Sequence, residues 1–258
     1  MLKSEGNEYA RLFNKKTSLL GLSTAISWDG DRYTVKDDTL PSVSYCFRHE
    51  RQGHMAYKDG LVPRALDLGR SYFLDQVDFD TGDVVLDCGA NVGDFYLWFL
   101  LNKIDIDYTG FEPSPVEFSC LRRNVEGQSV HNIGLWNKTD ELTFYVSSQG
   151  ADSSLIEPRH YDEKIVVQTK RLDSMIDGSV KLLKLEAEGA EPEILDGLGD
   201  KLRNIEYITA DLGYERGVEA ESTLVPTINF LLARKFELVD VGRGRLCALF
   251  KNRHNFNG

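Results

Sequence analysis

Val84-Val85-Leu86-Asp87-Cys88-Gly89-Ala90-Asn91-Val92-Gly93 reads as a buried strand that runs into a glycine turn and then a helix. The near-continuous apolar run suits a central strand covered on both faces. The glycines let backbone pass close to a ligand. The spacing is not that of a dinucleotide fingerprint: Asn91 stands where that pattern has its second glycine, and Gly93 follows at the wrong interval. Asp87 weighs more than the spacing. A pyrophosphate needs a bare helix N-terminus, which a carboxylate opposes, whereas a cationic ligand is favoured there.

Outward from this turn, short β-rich runs alternate with helical stretches from Asp83 onward, the pattern of βαβ units and a parallel sheet. Strands are expected at 84–87, 107–112, 129–135, 180–186 and 204–211. The last two β runs, Phe236–Val241 and Arg245–Phe250, are separated only by Gly242-Arg243-Gly244, too few residues for a parallel crossover. The expected fold class is therefore α/β, a mostly parallel doubly wound sheet ending in an antiparallel hairpin. Leu142–Val146 and Lys164–Thr169 look like an extra β excursion with no legible role. Residues 1–80 read as a cap segment, with a hairpin around Asp29-Gly30 and helical spacing at Leu66, Tyr72 and Phe73. Residues 81–258 form the ligand-binding domain.

Four of the five parallel strand candidates end in an acid: Asp87, Glu112, Glu186 and Asp211. Ligands of open α/β sheets bind outside the carboxyl ends of the strands, so these acids are expected along one crevice. A single acid at such a place is usually a helix cap; four in the same place point to a ligand. Across the 258 residues, 30 Lys and Arg against 41 Asp and Glu give a net charge of −11, which opposes a nucleic-acid or anionic-lipid partner. The four cysteines form no CxxC pair, so neither a zinc site nor a disulfide framework is expected, and a reducing, cytoplasmic location fits. The longest apolar run, Phe95–Leu101, is far short of the roughly 20 residues of a membrane-spanning helix. No ligand spacing calls for a metal.

The stretch Asp87–Gly93, D-x-G-x-N-x-G, is similar to the (D/E)xGxGxG signature of class I methyltransferases, with Asn91 replacing the middle glycine. Nineteen residues past Gly93, Glu112 ends Gly110-Phe111-Glu112, and a carboxylate there can accept both hydroxyls of a ribose. Three further blocks narrow the resemblance. Leu182-Leu-Lys-Leu-Glu-Ala-Glu-Gly-Ala-Glu191, followed by Leu195-Asp196-Gly197, resembles the K-[ILV]-D-x-E-G-x-E…L-x-G block of FkbM-type methyltransferases. Phe111-Glu-Pro-Ser-Pro115 resembles their F-E-P-x-P, and Arg171-Leu172-Asp173 their T-L-D. The likeness covers roughly Asp83 to Asn252, with Glu186 standing where the family usually has Asp.

The resemblance implies S-adenosyl-L-methionine as cofactor, bound by Asp87, Gly89, Ala90, Asn91, Gly93, Glu112, Pro113, Gly134, Leu135 and Glu186, with Asp87 at the methionine end. It implies O-methylation of a hydroxyl on a sugar, glycan, glycosylated compound or polyketide. The acceptor is thus a small molecule or oligosaccharide; a homo-oligomer is neither demanded nor excluded. A base beside the methyl group is expected among Glu188, Asp211 and Glu191, although acids at 188 and 191 also suit plain helix capping. His49 and His54, with Arg48, Arg51 and Gln52, are either an acceptor-contacting patch or solvated surface. Trp136 flanks the adenine or simply packs. Two other readings stay open, a non-catalytic methyltransferase-like binding module and an NAD(P)-linked oxidoreductase; Asp87 and Asn91 disfavour the latter.

Overall fold

A computed structural model describes residues 4–147 and 152–254. Seven strands form the central sheet: β1 (Asp83–Cys88), β2 (Ile106–Phe111), β3 (Ser129–His131), β4 (Val180–Leu185), β5 (Ile205–Asp211), β6 (Phe236–Val241) and β7 (Cys247–Asn252). They lie in the order β6-β7-β5-β4-β1-β2-β3. β1 to β5 are parallel, and β7 inserts antiparallel between β5 and β6, which makes the terminal hairpin. Strand order reverses between β1 and β4, so the loops leaving those two strands diverge to opposite faces and open a crevice.

Period-two alternation sorts side chains to the two faces of the sheet. Leu183, Leu185, Ile208 and Ala210 join one buried core. Val85, Leu182, Tyr108 and Tyr207 join the other. On β4 the residue between Leu183 and Leu185 is Lys184, and the parallel register sets it beside Asp87 of β1. Two charged groups therefore sit inside a face that is otherwise apolar.

The first eighty residues build a helix, Gly6–Leu19, an antiparallel three-stranded sheet, Thr24–Trp28, Tyr33–Asp37 and Ser44–Phe47, and two helices, Glu50–Ala56 and Leu61–Ser71. The Asp29-Gly30 hairpin is present, with Asp29 Oδ1 accepting from the amides of Asp31 and Arg32 at 2.9 Å. Tyr9, Phe13, Tyr33, Phe47 and Tyr57 are buried together, and their cluster extends to Val92 in the turn after β1, Leu97 on the helix Tyr96–Asn102 and Cys120 on the helix Pro115–Asn124. Polar bonds follow the same seam: Cys46 N donates to Asn124 Oδ1 at 2.7 Å, and Arg64 pairs with Asp94 at 2.9 Å.

The expected third strand does not run through to Leu135. β3 stops at His131, and Gly134–Leu135 leaves the main sheet to pair with Glu163–Lys170, which also pairs antiparallel with Asp140–Val146. The β excursion is thus a separate small sheet fed by the loop after β3. Among the described residues no helix is long and apolar enough to cross a membrane.

Candidate active site

A cavity of about 470 Å³ opens at the carboxyl ends of β1 and β4. Its floor begins at Gly89, whose φ is +71° and whose missing Cβ would collide with the backbone carbonyl of Glu186. Only glycine fits. The amides of Gly89 and Ala90 both donate to Phe111 O, which ties the turn to β2. Asn91 takes a left-handed φ of 50°, and its amide donates to Glu112 Oε2 at 2.9 Å while Ser114 N donates to Oε1 at 2.7 Å. Glu112 is thereby aimed by two backbone amides. Burial and the neighbouring Glu117 charge push its carboxyl up to about 8, against the two amides and Lys184. Ala90, Asn91, Glu112, Pro113, Gly134 and Leu135 all line the cavity.

Two expected ligand residues do not line it. Gly93 packs behind the turn against Leu121 and Val125, so its bareness serves helix packing. Asp87 is fully buried below the floor, 2.9 Å from Lys184 Nζ and hydrogen-bonded by the Tyr108 hydroxyl at 2.7 Å. The expectation that it meets the methionine end is corrected: β1 pleating turns its side chain into the same face as Lys184. Lys184 also lies 3.0 Å from Glu186 Oε2 and donates to Gly89 O at 2.8 Å. Glu186 is paired in turn with Arg245, which also grips Asp211. Despite its burial, Glu186 is held far below the ordinary carboxylate range by Lys184 and Arg245.

The three acids offered as bases separate. Asp211 is buried, bonded to Arg245 and to Gly213 N, and forms no part of the cavity wall. Glu191 is buried as well, accepting from Ala187 N at 2.9 Å, Gly189 N at 3.3 Å and Thr223 Oγ1 at 2.9 Å. It braces the 187–189 turn from behind. Both are corrected as bases, because their oxygens are spent on protein donors away from the cavity. Glu188 alone lines it, on a left-handed turn with φ 49°. Burial first, then the charges of Glu215, Glu186 and Asp152, raise its carboxyl well above the ordinary range.

Against this geometry, a model of the "Methyltransferase FkbM domain" matches residues 87–237, from the end of β1 to the start of β6. The chain belongs to the FkbM methyltransferase family. A relative described as "Methyltransferase 1" of Beauveria bassiana is 28% identical over 190 residues, covering 62% of this chain and 76% of that one. The "31-O-demethyl-FK506 methyltransferase FkbM" of Streptomyces tacrolimicus is 26% identical over 175 residues, covering 53% and 67%. Among solved structures, a human methyltransferase 10 domain containing protein has a TM-score of 0.43 at 15% identity, covering 75% of this chain and 83% of that one, too slight a likeness to bear on acceptor or mechanism.

This FkbM methyltransferase uses S-adenosylmethionine, and the chain's own groups fit that donor. Glu112, amide-oriented at the end of β2, suits the two ribose hydroxyls. Phe111, Ile133 and Leu135 supply an apolar wall next to it for a purine, and Glu186 offers a carboxylate beyond β4 for the cationic end. Among the described residues no group of acids, histidines and cysteines could hold a metal.

Several residues of the FkbM site were not legible in the chain. Tyr72 lies under Lys184 and Arg245, its ring 5.7 Å and 5.6 Å from them. Phe144 and Leu155 bring the small sheet to the cavity, and Glu117 stands behind Glu112, its Oε1 2.9 Å from His49 Nε2. Arg245 comes from the turn of the terminal hairpin and Glu215 from a two-stranded ribbon, Tyr214–Arg216 with Glu221–Ser222, stretches whose only signal was their glycine content. Of the suspected N-terminal patch, Arg51 and Gln52 do reach the wall, Gln52 donating to Asn91 Oδ1 at 2.7 Å, whereas His54 and Trp136 do not.

Proposed function

We propose that the enzyme methylates a hydroxyl of a sugar, glycan, glycosylated compound or polyketide, with Glu188 taking the hydroxyl proton. The observation that carries this is the contrast at the end of β4: Glu186 is bound by two cations, while Glu188, two residues on, presents to the same cavity a carboxylate with no hydrogen-bond or ion-pair partner among the described residues. A carboxylate whose proton affinity is raised well above the ordinary range by burial and neighbouring acids suits general-base work, which contributes about 10² to 10⁴-fold. When bound, the donor supplies an activated methyl group. As the acceptor oxygen–carbon bond forms and the carbon–sulfur bond breaks, Glu188 accepts the acceptor's proton. The remaining demand is alignment and exclusion of water, which the enclosed cavity serves.

A relative whose printed name specifies a 31-O position supports oxygen as the acceptor atom. Arg51, Gln52 and Met55 of the first eighty residues extend the wall, and we assign that segment to acceptor contact. Its division from the donor-binding remainder at residue 80 belongs to the same proposal. Four free, buried cysteines agree with a reducing, cytoplasmic setting. Glu188→Gln should keep S-adenosylhomocysteine affinity and lose transfer of labelled methyl to an alkali-stable product. Undiminished transfer removes Glu188 as the base.

A further inference from the structure

The methionine end of the donor is a zwitterion, so Glu186, which suits its ammonium, calls for a cation nearby to meet its carboxylate. Among the described residues, four cations line the cavity: Arg51, Arg64, Lys184 and Arg245. Lys184 has no donor left, its ammonium already meeting Asp87 Oδ1 at 2.9 Å, Glu186 Oε2 at 3.0 Å and Gly89 O at 2.8 Å. Arg245 is shared by two carboxylates, Glu186 and Asp211, so an anion beside it meets uncompensated negative charge. Arg51 pairs with Asp152 at 3.0 Å where both side chains are exposed, and an ionic contact in water is worth little.

Arg64 differs. Its helix, Leu61–Ser71, turns Arg64, Leu68 and, just past its end, Tyr72 to the cavity at four-residue spacing. Gly69 of that helix has no Cβ where the Trp98 ring packs, which fixes the helix against the one that follows the glycine turn. Asp94, at the end of that turn, takes Arg64 Nε and Nη2 on a single oxygen, Oδ2, both at 2.9 Å, while its Oδ1 accepts from the buried Tyr57 hydroxyl. The guanidinium is thus held in place and keeps its Nη1–Nη2 edge, a second fork of N–H donors with no partner among the described residues. Glu186 is near enough for its charge to favour the Arg64 cation.

We propose that Arg64 holds the donor's carboxylate on this free edge while Glu186 receives the ammonium, so that the donor site takes one of its charges from the cap segment, across residue 80. A planar fork already fixed by Asp94 loses little freedom on binding a planar carboxylate. Neither the acceptor nor the base enters this assignment.

Calorimetry with three ligands isolates the contact: S-adenosylhomocysteine, its decarboxylated analogue, and methylthioadenosine, which lacks the whole amino-acid end. Arg64→Gln should weaken S-adenosylhomocysteine binding roughly ten- to a hundredfold, the worth of a hydrogen bond to a charged group, and leave the other two affinities unchanged. In the native chain the decarboxylated analogue should bind correspondingly more weakly than S-adenosylhomocysteine; equal affinities overturn the carboxylate contact. Unchanged S-adenosylhomocysteine affinity in Arg64→Gln overturns the role of Arg64. Equal weakening of all three ligands overturns it too, because Arg64 then serves only the seating of the cap. Arg64→Lys keeps a cation beside Asp94 without the second fork and should show the selective loss to a smaller degree. Should Arg64→Gln fail to fold, Arg64→Lys decides on the same readout: a loss confined to S-adenosylhomocysteine supports the contact, and a loss shared by all three ligands or by none overturns it.

Discussion

Lys184 Nζ lies 2.9 Å from Asp87 Oδ1 beneath the cavity floor, with both side chains buried between two parallel strands. The pair also carries Glu186 and the Gly89 carbonyl on the same ammonium, so one residue holds the exits of β1 and β4 together. Removing the cation alone strands a buried carboxylate. Lys184→Met should therefore cost about 3–5 kcal/mol in urea unfolding, and Lys184→Met with Asp87→Asn together should cost less than the sum of the two single changes. Additive losses would show that the two charges are not coupled.

Gly89 and Gly82 both hold positive φ, +71° and +84°, but only Gly89 faces backbone, and around Gly82 the space is open. Gly82→Ala should cost about 1 kcal/mol from conformation alone. Gly89→Ala should cost clearly more, because a carbonyl on the neighbouring strand exit cannot move aside, and it should weaken S-adenosylhomocysteine binding. Equal thermal shifts for the two variants would dissociate the close approach from stability.

Glu191 and Glu188 should part under mutation. Glu191→Ala orphans two amides and a hydroxyl, at about 1–3 kcal/mol for each donor left buried, with Glu191→Gln restoring part of the loss. Glu188→Gln removes an unpaired acid crowded by Glu215 and Glu186, so the fold should be unchanged or slightly stabler while turnover falls about 10² to 10⁴-fold. Chemical denaturation alongside labelled-methyl assays separates the two roles.

Glu112 and Glu215 are both raised from 4.5 to about 8, chiefly by burial. The folded state thus holds their protons more tightly than the unfolded state. The stability this contributes is fully present below 4.5 and is lost as pH climbs through about 8. A melting curve followed over that window should fall, and Glu112→Gln with Glu215→Gln should flatten it. Ribose binding by ionised Glu112, the role proposed from its placement, predicts the opposite trend: S-adenosylhomocysteine affinity should rise through about 8 in the native chain and not in Glu112→Gln, as read by calorimetry.

Much of this protein is local in origin. The β1 run, the bare turn at Gly89, the acid after β2 and the closing hairpin follow from residue-by-residue periodicity, turn chemistry and the minimum length of a parallel crossover, and with them the cavity wall at Glu112, Pro113 and Asn91. Only the tertiary structure decided which carboxylates are free. Asp87, Asp211, Glu191 and Glu188 look alike along the chain, yet three are neutralised or saturated by Lys184, Arg245 and the 187–189 amides, partners set by strand register and by loops far apart in sequence. A carboxylate's charge and reach depend on what lies within a few ångströms of it, and a linear chain does not record that distance.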